Sequence, residues 1–206
     1  MPVDLFSVGR IFRGKEVTVA GNGPSLRLLE TRPEGPLCTV NAGLSYFYEL
    51  GWEVDLHWIQ DRRMMTEKPE LVEPYLELAK IIAYNSEISY FRESTISSTM
   101  PIHMLGYKGF SKEPGIGVFH GYTAIYGLLQ ILYYCKPAKL SLYGVGLNYF
   151  SNETRFYQST RGVDVDLHRA NEQVKLVSEA IRQFEFIGIP VDVVGASMLK
   201  RASYSC

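Results

Sequence analysis

Cysteine is scarce in this chain, charge of either sign fails to accumulate, and no long hydrophobic run interrupts it. Each shortage removes a class of protein. The three cysteines, Cys38, Cys135 and Cys206, have neither disulfide-framework nor metal-ligand spacing. No metal site and no cofactor are expected, and a reducing cytoplasm is the expected setting. Lys and Arg number 21 against 22 Asp and Glu, a formal net charge of −1, with the basic residues scattered. That balance argues against a nucleic-acid-binding face. Residues 116–134 are the only stretch that tempts a membrane assignment, but they include His120, Gly121, Thr123, Gly127 and Gln130 and read as a buried helix, so no transmembrane segment is expected. Near the N-terminus, Asp4 and a short apolar run do not build a secretory signal.

What is present is ordinary globular material. Hydrophobic residues make up 46% of 206 positions, enough for one α/β domain with a modest insertion and short for two. Tyrosine is plentiful at 14 residues, supplying hydroxyls to a site or bulk to a core.

The stretch that organises the rest is Val17 to Leu26, reading VTVAGNGPSL. Four strand-type residues lead into a turn of Gly21, Asn22 and Gly23, and Pro24 with Ser25 opens a helix. Glycines there allow a ligand to approach the main chain, and free N–H groups at a helix start favour an anion, so the turn is expected to hold a phosphate. A dinucleotide fingerprint fits poorly. Leu26 stands in the third-glycine place, and the next strand, Leu37 to Val40, ends in Asn41 rather than an acidic residue.

Strands at Leu37–Val40, Val54–Ile59, Ile81–Tyr84, Lys139–Tyr143 and Gly188–Val194 alternate with helices at Leu44–Leu50, Pro69–Ala79, Ala124–Tyr134 and Leu167–Ile187. That order specifies a single Rossmann-like α/β domain spanning 1–206, a mainly parallel sheet with helices on both faces and a small lid or insertion. The first fourteen residues are expected as an extended arm or edge strand, and irregular lid segments at 85–114 and 148–166. Ligands of such sheets lie beyond the carboxyl ends of the strands, where the chain puts Asn22, Asn41, Gln60 and Asp61. Gly144 and Gly146 form the turn after the central strand. His168 is expected at the start of the last long helix, where the positive helix end keeps imidazole neutral and able to accept a proton.

The VAGNGPSL turn, Val40-Asn41, the glycine-containing buried helix, Leu142-Tyr-Gly-Val-Gly146, the aromatic loop and Asp166-Leu-His168 together resemble the bacterial sialyltransferases of glycosyltransferase family 42. The resemblance implies an inverting, metal-independent transferase acting on a CMP-activated acidic sugar. Gly21 to Ser25 would contact the CMP portion, Asn41 with Gln60 and Asp61 would lie beside the nucleotide or sugar, and Tyr122, Thr123 and Gly144 would complete the donor site. His168 would be the base that deprotonates the acceptor hydroxyl, and Tyr149 and Tyr157 would hydrogen-bond the departing phosphate. The resemblance also implies a glycan or small-molecule acceptor, homo-oligomeric assembly and peripheral association with the inner membrane. Two positions depart from the pattern: Gly146 stands where the family has a nucleotide-contacting aspartate, and His120-Gly-Tyr-Thr-Ala replaces an arginine followed by Ser-Gly.

The same layout is similar to hydroxymethylpterin pyrophosphokinases. That alternative implies ATP and Mg²⁺, with Asp61, Asp164 and Asp166 as carboxylates. A third reading is a nucleotide-binding module without catalysis, consistent with Gly146 in the aspartate's place.

Overall fold

The computed structural model of the chain describes residues 3–96, 98–147 and 163–199, and for residues 93 and 163–168 the main chain only. The elements run α1 (Leu5–Phe12), β1 (Glu16–Ala20), β2 (Leu37–Val40), α2 (Gly43–Glu49), β3 (Leu56–Ile59), α3 (Arg63–Thr66), β4 (Ile82–Asn85), α4 (Tyr90–Glu93), β5 (Thr99–Ile102), β6 (Met104–Gly106), β7 (Val118–Phe119), α5 (Ala124–Cys135), β8 (Lys139–Tyr143), α6 (Val163–Phe186) and β9 (Val191–Val193). Short 3₁₀ segments cover Pro24–Leu28, Pro69–Leu71 and Glu73–Leu78.

Seven strands form one sheet in the order β5-β4-β3-β2-β1-β8-β9, with every pairing parallel. A separate parallel pair, β6 with β7, stands beside it. The fold is the α/β single domain that the alternation of elements implies. The chain winds outward from β1 through β2 to β5, then returns to the other side of β1 with β8. Consequently β1 and β8 flank the switch point, the place where open α/β sheets leave a crevice.

Each sheet face has its own apolar layer. On one side α1, α5 and α6 pack through residues such as Phe12, Leu128 and Phe184. On the other, α2 and the 3₁₀ segments bury Leu26, Phe47 and Leu76. Eleven of the twelve residues of α5 are buried, as its apolar composition all round requires. Gly127 lets α5 approach β3: a Cβ there would sit 2.7 Å from Trp58 Nε1.

Four expectations change. The helix expected over Pro69–Ala79 is instead two short 3₁₀ segments, Pro69–Leu71 and Glu73–Leu78. Residues 5–12 form a helix instead of an extended arm, because Leu5, Val8 and Phe12 recur at helical spacing and the Asp4 carboxylate accepts the Ser7 N–H at 2.8 Å. The 85–114 segment is not irregular throughout; it contains α4, β6 and the sheet's edge strand β5. The last helix begins at Val163, which puts His168 in its second turn. The dipole argument for a neutral imidazole therefore does not apply, since that effect fades beyond the first turn. Among the described residues no helix is long and apolar enough to cross a membrane.

Candidate functional site

Above the carboxyl ends of the strands lies a cleft of about 840 Å³. Its floor follows the sheet order: the carboxyl ends of β8, β1, β2, β3 and β4 contribute Gly144, Asn22, Asn41, Gln60 and Asn85 in turn. Five strands at about 4.8 Å spacing make a trough roughly 19 Å long, the reach of a nucleotide carrying a sugar. One wall comes from β6, β7 and the start of α5, with Tyr107, His120, Tyr122 and Thr123; α6 adds Arg169 and Gln173.

Of the binding residues expected from sequence, Asn22, Gly23, Pro24, Ser25, Asn41, Gln60, Asp61, Tyr122, Thr123, Gly144 and Gly146 line this one cleft. Gly21 is buried and does not line it. Tyr149 and Tyr157 lie outside the described residues. His168 is described in its main chain alone, immediately before Arg169 at the cleft wall.

The glycine turn works differently from the anion cradle its sequence suggests. The Gly21 N–H donates to Tyr143 O at 2.7 Å and the Gly23 N–H to Gly144 O at 2.8 Å. Ser25 Oγ accepts the Gly144 N–H at 3.1 Å. These groups lock the turn after β1 to the turn after β8, so they are not available to a phosphate. The glycines are needed because the backbones touch: a Cβ on Gly23 would lie 2.8 Å from Gly144 O. Side-chain polarity remains at the mouth of the turn. The Asn22 oxygen is buried without a hydrogen-bond partner, whereas its amide nitrogen has no partner among the described residues and is not buried.

Two more strand-end residues are partly committed to the scaffold. Asn41 adopts φ 47° and its Oδ1 accepts from the N–H groups of Gln60 at 3.1 Å and Asp61 at 3.4 Å. Gln60 is buried, donating from Nε2 to His120 O at 3.0 Å and accepting the Trp58 indole N–H at 3.4 Å. Asp61 accepts two bonds from the Arg63 guanidinium, at 2.9 and 2.6 Å. Asn41 and Gln60 thus shape the floor, leaving Asn41 its amide NH₂.

Sequence reasoning gave His120 no part in binding and did not single out Arg169 or Tyr107. The Tyr122 N–H donates to His120 Nδ1 at 3.1 Å, so the neutral ring carries its proton on Nε2. Burial holds this imidazole below its ordinary pKa; Asp61 opposes that shift, and Arg169 and Arg63 reinforce it. The Tyr107 and Tyr122 rings stack at 5.2 Å and 17°. The Arg169 guanidinium lies over the Tyr122 ring at 5.3 Å. Tyr122 holds a left-handed φ of 59°, uncommon for a bulky residue. Only the glycine at 121 hinted at a tight corner there.

At the start of α5, Thr123 occupies the N-cap position without a side-chain cap bond, and Ala124 and Ile125 line the cleft. An uncapped helix start favours negative charge in front of it. Gly146 has no room for a side chain: a Cβ would lie 2.7 Å from Ala196 O. The closing turn covers that position, with Met198 N–H and Ser197 Oγ both donating to Gly146 O, at 3.0 and 3.3 Å. Among the described residues no group of three or more His, Cys, Asp or Glu side chains could hold a metal ion.

No family model matches this chain, and no curated protein does. Solved structures do. The sialyltransferase CstII from Campylobacter jejuni in complex with cytidine-5′-monophosphate superposes with a TM-score of 0.58 at 13% identity, over 92% of this chain and 84% of that one. The sialyltransferase CST-II with a trisaccharide acceptor and CMP gives 0.56 at 14% identity, over 91% and 84%. The CstII complex with CMP-3FNeuAc gives 0.54 at 12% identity, again over 91% and 84%. The parallel sheet and its flanking helices therefore form a sialyltransferase-like fold.

Proposed function

We propose that the protein is an inverting, metal-independent glycosyltransferase that takes a CMP-activated acidic sugar as donor. The observation that carries this reading is convergence. Segments from residue 22 to residue 196, remote in the chain, meet in one trough of nucleotide-sugar size, on a fold whose structural neighbours were solved with CMP.

In this reading the nucleotide lies over the switch point, against Asn22 to Ser25 and Gly144 to Gly146. The phosphate faces the uncapped start of α5 at Thr123, and the Asn22 and Asn41 amides donate to the phosphate or sugar. His168 on α6 removes the proton from the acceptor hydroxyl as that oxygen attacks the sugar carbon on the face opposite the phosphate. The C–O bond to the phosphate breaks with its electron pair leaving on CMP. Tyr149 and Tyr157 donate hydrogen bonds to the charge that develops there, taking the part a metal ion plays in other transferases.

The pterin pyrophosphokinase alternative receives no support from the structures reported above.

Calorimetry with CMP and with ATP, each with and without EDTA, tests the reading. CMP binding indifferent to EDTA is expected, and Mg²⁺-dependent ATP binding without CMP binding overturns it. A transfer assay then addresses the chemistry: His168→Ala is expected to abolish transfer and leave CMP affinity nearly intact, whereas equal loss of both makes the histidine structural. Tyr157→Phe is expected to slow donor cleavage, and an unchanged rate removes that hydroxyl from the mechanism.

A further inference from the structure

Three arginines line the cleft, and two of them face carboxylates. Arg62 lies 3.4 Å from Glu87 and Arg63 2.6 Å from Asp61. Arg169 has no carboxylate partner among the described residues. Its guanidinium rests instead over the face of Tyr122, at 5.3 Å. An aromatic face holds a guanidinium in place without consuming its N–H groups, which stay available to a ligand.

The platform beneath that arginine is braced from several directions. Tyr107 stacks on Tyr122. Gln173, one turn along α6 from Arg169, donates from its side-chain amide to Tyr122 O at 3.1 Å. His120 Nδ1 accepts the Tyr122 N–H and so turns its own N–H donor, Nε2, outward from that bond. Together these contacts hold Tyr122 in a left-handed conformation that a bulky side chain adopts at a cost. Strain maintained by a surrounding network, beneath an arginine without a carboxylate partner and inside the main cleft, marks a position organised for a ligand rather than for the core.

We propose that Arg169, carried on the Tyr122–Tyr107 stack with His120 beside it, is the residue that recognises the carboxylate of the donor sugar. A planar fork of donors matches a carboxylate in two-point contact, which a neutral sugar does not offer. In this class of sugar the reacting carbon itself bears the carboxylate, so an arginine of the cleft wall that holds the carboxylate also positions that carbon. The assignment rests on the CMP-sugar reading above and adds the residue that selects an acidic donor over a neutral one.

Calorimetry with two ligands, CMP and CMP-3FNeuAc, on wild type, Arg169→Gln and Arg169→Lys tests it. Arg169→Gln is expected to weaken CMP-3FNeuAc about tenfold and CMP by less than about twofold. Arg169→Lys is expected to fall between, because it keeps the charge and loses the fork. CMP binding also reports that each variant is folded. Equal weakening of both ligands places the arginine on the phosphate and overturns the proposal, as does no change in either. Wild type that binds CMP but not CMP-3FNeuAc overturns it and leaves a nucleotide site standing. Wild type that binds neither removes the donor reading and this inference with it.

Discussion

The main-chain N–H of Gly23 donates to the carbonyl of Gly144 across 2.8 Å, joining the turns that follow the two strands at the switch point. Neither residue tolerates a side chain facing the other. Gly23→Ala is expected to destabilise the fold by about 2 kcal/mol, because its Cβ meets backbone that has nowhere to move. A urea titration measures it. A midpoint equal to wild type means that the turns are not in contact as described.

Asn41 supports the cleft floor in two ways, through a left-handed backbone and through an oxygen shared by the N–H groups of Gln60 and Asp61. Asn41→Gly loses only the second, whereas Asn41→Ala loses the hydrogen bonds and is strained as well. The alanine variant is expected to be less stable than the glycine variant by roughly 1 kcal/mol. Equal stabilities discount the backbone strain.

Gln130 is buried in α5 with its amide fully used. Its oxygen accepts the Ser111 and Phe119 N–H groups, both at 2.9 Å, and its nitrogen donates to Phe119 O at 2.9 Å and Tyr126 O at 3.0 Å. That amide ties the wall bearing His120 to the helix. Gln130→Leu strands these groups and is expected to cost about 3 kcal/mol. Hydrogen exchange should accelerate at the Phe119 amide, and unchanged protection there counts against the tie.

His57 in β3 is fully buried, and burial pushes its pKa from 6.5 down to about 3, opposed only in part by the main chain at Thr39 and Asn41. The folded state therefore refuses a proton that the unfolded chain accepts throughout that interval. Stability attributable to this residue is unaffected above pH 6.5 and falls by roughly 1.4 kcal/mol for each unit of acidification below it. The loss continues until the folded pKa is reached. His57→Leu should flatten the acid limb of the unfolding free energy by that slope, measured by denaturant titrations across the range. An unaltered limb rules this histidine out as its source.

The sequence by itself determined the winding of the fold and the edge at which a site would form. Runs such as Leu37 to Val40 and Leu56 to Ile59 are mostly apolar and buried at every position, as parallel strands covered on both faces must be, and the residues that follow them are polar. These are local patterns with fixed period, so they can be read without knowing what lies opposite. What each polar group does is not local. Ser25 meets Gly144 across 119 positions, and Gln60 reaches His120 across 60. Only the tertiary structure decided that the glycine-turn amides hold backbone instead of phosphate. The same holds for the aromatic stack that keeps Arg169 over Tyr122, and for the 196–198 turn that leaves no room for a side chain at Gly146. A hydrogen-bond donor is claimed by whichever partner packing brings nearest, and that partner is chosen by the assembled sheet rather than by the residue's neighbours in the chain.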